Sequence, residues 1–308
     1  MKSKSVRKYS WLLATALTPF IFGYAVGTYS FAHQLWPVNI VVNAQNKSAE
    51  LQSRVNFSEL GGYSNLSDKA EVLCPEQDSR TMVILVIGQS NSANHAEAKF
   101  STHFPKRVLN YYLEKCFVSG SPLLGASGDE GEWLTPLADE LIVNKNVGNI
   151  IIINKSIGQS TISDWINGGR FTSDLVLTLR SLRNQYTVTH VLWHQGESDF
   201  AKGTSSQEYY SSFLALRDLL ANEEIDAPIY SFISTVCGHN PKWTQDNGIS
   251  NAVRKLITDG VAKLAVDTDS VLLPQDRRDQ SPAQEPNCHL SEAGQLRIAK
   301  LLANQLKD

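Results

Sequence analysis

The stretch Thr81 to Asn94, TMVILVIGQSNSAN, constrains the fold more than any other. Met82 to Ile87 is an unbroken apolar run rich in β-branched residues, without the alternation of a half-exposed strand, so it predicts a strand buried on both faces. Such a strand needs helices above and below it, which commits the chain to an α/β architecture. Gly88 and Ser90 stand where the strand must turn. In an open α/β sheet, ligands bind beyond the carboxyl ends of the strands, so Ser90 is a candidate nucleophile facing the substrate crevice. The competing reading is that Ser90 or Asn91 only caps a following helix.

Further strands are expected within 108–118, at 148–154, 187–194 and 228–234, and within 262–272. Helices are expected at 135–144, 171–182, 207–221, 250–259 and 291–306, and a short helix or loop at 93–100. Leu123 to Leu134 is rich in glycine and acids and predicts a surface loop. Alternation of strands and helices implies right-handed crossovers and a mostly parallel sheet. Acids and bases are mixed along the chain, with a net charge of -3. No basic stripe with interleaved aromatics appears, so no nucleic-acid partner is expected.

Lys2, Lys4, Arg7 and Lys8 precede an uncharged run from Tyr9 to Ala32, and about 20 apolar residues suffice to cross a bilayer. The basic flank keeps the N-terminus inside and sends the rest across. Residues 1–33 are therefore expected to be a cytoplasmic tip and a transmembrane signal anchor, residues 34–80 a linker with its tether at 42–67, and residues 81–308 the catalytic domain. Cleavage after Ser30-Phe31-Ala32 is the alternative, giving a secreted protein. Either way the domain lies outside the cytoplasm. Asn46, Asn56 and Asn65 each begin an N-x-S sequon.

Cys74, Cys116, Cys237 and Cys288 lack CxxC spacing, which argues against zinc or a thioredoxin-like site. In an oxidising compartment they predict disulfides. Of the pairings open to them, Cys237 with Cys288 and Cys74 with Cys116 are preferred. The first two should lie near strand ends on one rim, and the second two flank the first strands; four buried thiols are the alternative.

Gly88-Gln89-Ser90-Asn91, His194-Gln195-Gly196-Glu197-Ser198-Asp199 and Cys288-His289-Leu290-Ser291-Glu292-Ala293-Gly294 occur in that order. Together they resemble the SGNH hydrolases, and most closely the sialate O-acetylesterase and acetylxylan-esterase-like carbohydrate esterases. The resemblance runs from about Thr81 to the C-terminus. It implies a three-layer α/β/α sandwich around a mostly parallel five-stranded sheet, SGNH or flavodoxin-like.

It also implies roles. A serine hydroxyl needs a neighbouring base, and His289 matches the family histidine; His95 and His194 compete. The oxyanion donors implied are the backbone N–H groups of Ser90 and Gly158 and the side-chain amide of Gln195. Family members usually carry Asp three residues before the histidine, and here that position is Pro286. Glu197 is the first substitute, because residues 195 and 197 of an extended strand end project to one side. Glu285 is second, Asp279 third, and a Ser-His dyad remains.

Thr161 to Trp165 resembles the stretch that follows the oxyanion glycine, with Gln159 in place of a second glycine. Gln89, Asn91 and Trp165 are the expected substrate-binding residues, and Trp133 is a further candidate for stacking on sugar. Asp199, Asp276 and Asp279 lack calcium-loop spacing, so no metal and no cofactor are expected. The function expected is removal of O-acetyl groups from a carbohydrate; the alternative is a catalytically silent, anchored glycan-binding or envelope scaffold protein.

Overall fold

The computed structural model describes residues 57–237, 246–278 and 288–306. Contacts divide the chain into Met1–Val55 and Asn56–Asp308, and the expected membrane-spanning run lies outside the described residues. Among those described, no helix is long and apolar enough to cross a membrane.

The strands are β1 (Glu71–Val72), β2 (Thr81–Gly88), β3 (Val108–Tyr112), β4 (Lys115–Val118), β5 (Asn149–Asn154), β6 (His190–His194), β7 (Ile229–Ile233) and β8 (Lys263–Asp267). They form one sheet in the order β1-β4-β3-β5-β2-β6-β7-β8. The strands from β3 to β8 pair in parallel, apart from the antiparallel edge made by β4 and β1. Among the described residues the sheet therefore has eight strands where five were expected. One cause is that 108–118 doubles back at Leu113 and Glu114, with φ of 48° and 61°. This is the left-handed backbone of a tight hairpin, formed without the Asn-Gly or Asp-Gly that usually signals it.

The helices are α1 (Leu134–Asn144), α2 (Thr172–Leu182), α3 (Glu197–Lys202), α4 (Ser206–Asn222), α5 (Gly248–Thr258), α6 (Thr268–Val271) and α7 (Glu292–Gln305). Val83, Leu85 and Ile87 of β2 join one core with Leu175 and Leu179 of α2, Phe213 and Leu216 of α4 and Val253 of α5. Ile84 and Val86 face the other way, into a core with Leu137 and Leu141 of α1 and Ile298 and Leu302 of α7. Successive strand residues thus feed opposite layers, which is why β2 needs no polar face.

Both expected disulfides, Cys74–Cys116 and Cys237–Cys288, are formed. The lead-in is not wholly loose. Tyr63 is buried, its N–H donates to the Ala126 carbonyl at 2.8 Å, and Phe57 bridges to Tyr63. Residues 123–134 also depart from expectation, because Leu123, Leu124, Ala126 and Trp133 are fully buried. Asparagines make this possible: Oδ1 of Asn94 and of Asn110 accept the N–H groups of Leu123 and Leu124, each at 2.7 Å. A buried loop must satisfy its backbone somewhere, and here two side chains do so.

Candidate active site

From β2 the chain moves to β3 and β5 on one side and then crosses to β6 on the other, so the carboxyl ends of β2, β5 and β6 meet at the switch of direction. Two glycines let them approach. Gly88 has φ of 154°, and a Cβ there would lie 2.2 Å from the His194 carbonyl oxygen. Gly196 has φ of 157°, and its Cβ would meet the Ser234 carbonyl oxygen at 2.3 Å.

Ser90 opens a single 3-10 turn, Ser90–Ser92, so its N–H has no acceptor within the turn. Next to it, Asn91 Nδ2 donates to Glu197 Oε1 at 2.7 Å and to the Cys288 carbonyl at 3.0 Å, across 197 residues of sequence. The Arg277 guanidinium also donates to the Cys288 carbonyl, and to that of Val236. The Arg278 N–H donates to the His289 carbonyl at 3.0 Å. The backbone bearing His289 is thereby fastened to the residue after Ser90. Its ring stacks on His95, centroids 5.3 Å apart and planes 22° from parallel. Burial first, and then His95, Arg278 and Arg277, pull the His289 pKa down to about 4, so the ring is neutral at neutral pH.

Glu197 is almost wholly buried, which raises its pKa. Its Oε1 accepts from Asn91 and from Ser234 Oγ at 2.8 Å, while Oε2 has no hydrogen-bond partner. The carboxylate is thus not bonded to the His289 ring. It holds Asn91, which in turn holds the Cys288 carbonyl. Asp279, Glu285 and Pro286 lie outside the described residues. His194 is a core histidine, stacked on Phe232 with centroids 4.1 Å apart. Burial lowers its pKa to about 3.

Gln195 does not reach the crevice. It is fully buried, and its Nε2 is surrounded by Asp199 Oδ2 at 2.5 Å and by Gln89 Oε1 and the Ser160 carbonyl at 3.2 Å. The parity that would place residues 195 and 197 on one side fails, because the chain leaves the extended conformation at Gly196 and enters α3. Gln89, also buried, leaves an amide nitrogen to spare. Its Oε1 accepts the Ser198 N–H at 3.0 Å. A backbone N–H can only donate, so this fixes the amide orientation and leaves Nε2 with no acceptor among the described residues.

The Gly158 N–H donates to Ser127 Oγ at 2.7 Å, and Ser127 Oγ lies 2.9 Å from His95 Nε2. Gln159 has φ of 61°, the left-handed backbone that glycine adopts freely and a glutamine adopts at some steric cost. Trp165 and Trp133 are buried and offer no face to a sugar: their indole N–H groups donate to Ser160 Oγ at 3.1 Å and to the Asn91 carbonyl at 2.6 Å. The stacking expected of Trp165 is therefore replaced by a structural role, and Trp133 supports the Ser90 turn from behind. Ser127 carried no motif signal, and its stretch, 123–134, was expected to be a surface loop. Among the described residues no cluster of His, Cys, Asp and Glu could hold a metal ion.

A family model described as carbohydrate esterase, sialic acid-specific acetylesterase, matches residues 80–308. Among solved structures, NanS is 16% identical with a TM-score of 0.53, the match covering 76% of this chain and 98% of that one. A protein from Arabidopsis thaliana is 17% identical with a TM-score of 0.51, covering 73% and 97%. At these identities the likeness is one of fold. None of the curated proteins matches the chain.

Proposed function

We propose, because this chain belongs to the sialic acid-specific acetylesterase family of carbohydrate esterases, that it removes O-acetyl groups from a carbohydrate through an acyl-serine at Ser90. Carboxylic ester hydrolysis follows from the family; the substrate and the covalent route are our reading. The observation that carries it is the Asn91 amide, which ties the turn of Ser90 to the residue before His289. In this reading, neutral His289 takes the Ser90 proton as Oγ attacks the acetyl carbonyl. The oxyanion forms against the Ser90 N–H, with Gln89 Nε2 as a side-chain donor; the Gly158 N–H donates to Ser127 Oγ at 2.7 Å. His289 returns the proton to the departing sugar hydroxyl. A water, deprotonated by His289, then opens the acyl-serine and releases acetate. Glu197 acts at one remove, as a positioning residue through Asn91.

Release of acetate from O-acetylated sialic acids, compared with acetylated xylan fragments, tests the substrate; no acetate from any O-acetylated sugar removes the proposal. The same assay tests His289. Only its neutral form accepts a proton, and its pKa is lowered to about 4. Activity should therefore persist through pH 5 and fall as pH drops through about 4, whereas an ordinary histidine would lose it near pH 6.5. An acid limb of kcat/KM at or above about 6.5 contradicts this environment for the ring.

We place the domain outside the cytoplasm, tethered by residues 9–32. The support is the basic flank before an uncharged run, together with two disulfides, which persist in oxidising compartments. Full-length protein should stay with membranes after alkaline carbonate washing; quantitative release as soluble protein counts against the anchor.

A further inference from the structure

The Gly158 N–H, an expected oxyanion donor, is already occupied. It donates to Ser127 Oγ at 2.7 Å, and that oxygen also lies 2.9 Å from His95 Nε2. A Cβ on Gly158 would sit 3.3 Å from Ser127 Oγ and 3.2 Å from His95 Nε2, so the hydroxyl and the imidazole cover the face of this residue. His95 in turn stacks on His289. The Ser127 backbone is pinned as well: its N–H donates to the Ser156 carbonyl at 2.9 Å, and its carbonyl accepts the Asn94 N–H at 2.8 Å. The side chain is therefore not a passing surface hydroxyl but a fixed part of the wall beside His289.

A hydroxyl has one proton and two lone pairs. The Gly158 N–H must use one lone pair, because a backbone amide can only donate. The Ser127 proton then has two destinations. With the His95 proton on Nδ1, Ser127 donates to Nε2 and can present only a lone pair to the crevice, which repels a developing oxyanion. With the His95 proton on Nε2, the imidazole donates to Ser127. Both lone pairs are then filled and the hydroxyl proton is free to point into the crevice. Burial lowers the His95 pKa, so the neutral ring that either tautomer requires is the one present.

We propose that Ser127 is a catalytic oxyanion donor: its hydroxyl, held by the Gly158 N–H and His95 Nε2, stands between the Gly158 amide and the substrate and hydrogen-bonds the oxyanion itself. Resting on the esterase reading above, this replaces a direct bond from Gly158 by a relayed one. A hydroxyl donor polarised by two N–H groups is the stronger donor for it. A side-chain donor in such a hole contributes mainly in the transition state, so its loss lowers kcat with little change in KM.

The test compares Ser127→Ala, Ser127→Cys and Ser127→Thr in the full chain, with 4-nitrophenyl acetate as substrate and a fluorophosphonate label to count reactive Ser90. The expected result is a fall in kcat of about 100-fold for the alanine and cysteine variants, with KM little changed, while the threonine variant, which keeps the hydroxyl, stays within about 10-fold of the parent. The cysteine variant nearly keeps the shape of the parent, so it answers the question if the alanine variant does not fold. Parental or higher kcat in Ser127→Ala or Ser127→Cys overturns the proposal, because Gly158 would then serve the oxyanion unaided. Equal losses in the cysteine and threonine variants also overturn it, since the hydroxyl would not be what matters. If the parent hydrolyses and labels while these variants match it, this inference alone fails; if the parent neither hydrolyses nor labels, the esterase reading fails and takes this one with it.

Discussion

Ser90→Ala is expected to lower kcat for 4-nitrophenyl acetate by about 10⁵- to 10⁶-fold, since removing a serine nucleophile disables its base as well. A residual rate above water should remain, because the backbone donors and the binding surface survive. Stability should barely change. Ser90 Oγ makes no hydrogen bond to another described residue, and the turn is held instead by the Ala93 N–H on the Ser90 carbonyl at 3.0 Å and by Asn91 and Trp133. The substitution therefore isolates chemistry from folding. The measurement is kcat beside a thermal melt of each protein. Equal rates for parent and variant, with matching melts, would favour a silent scaffold over an esterase.

The second large effect concerns Cys237–Cys288, which closes 51 residues and ends immediately before His289. Loop-closure entropy alone assigns such a cross-link about 4 kcal/mol, and measured values run about 2–4 kcal/mol. Cys74–Cys116 closes 42 residues, so the same model gives it nearly the same stabilisation, about 4 kcal/mol. Their consequences for rate should differ. With Cys237 and Cys288 both changed to serine, the Cys288 carbonyl before His289 is held, among the described residues, by Asn91 and Arg277. Small displacements of a catalytic group can cost about 100-fold in rate. We expect that pair of substitutions to lower kcat by about that factor, and the Cys74/Cys116 pair to leave kcat near the parent while lowering the urea midpoint similarly. Comparable kcat for both double variants would show that the disulfide does not position His289.

The motifs pointed to one rim without coordinates, because each block sits at the carboxyl end of a strand or just before a helix, and in the structure Asn91 bonds both Glu197 and the Cys288 carbonyl there. They did not say what each side chain touches. Glu197 was expected beside the imidazole and instead holds Asn91; Gln195 was expected in the crevice and is sealed beneath it. Both errors share one cause, the turn at Gly196, whose need for glycine comes from the Ser234 carbonyl of the neighbouring strand end. Local parity cannot anticipate a contact made by another strand.

By itself, the sequence determined the α/β class, the buried central strand and most helix positions, since these follow from apolar periodicity and capping residues; it favoured the two disulfides that formed but left the other pairings open. Only the tertiary structure decided the hairpin at Leu113-Glu114, the burial of 123–134, the inward turn of Trp133 and Trp165, and the contact of Ser127 with Gly158 and His95. Periodicity records how exposed a residue is relative to its neighbours in the chain. Which donor meets which acceptor depends on segments far apart in sequence arriving at the same place.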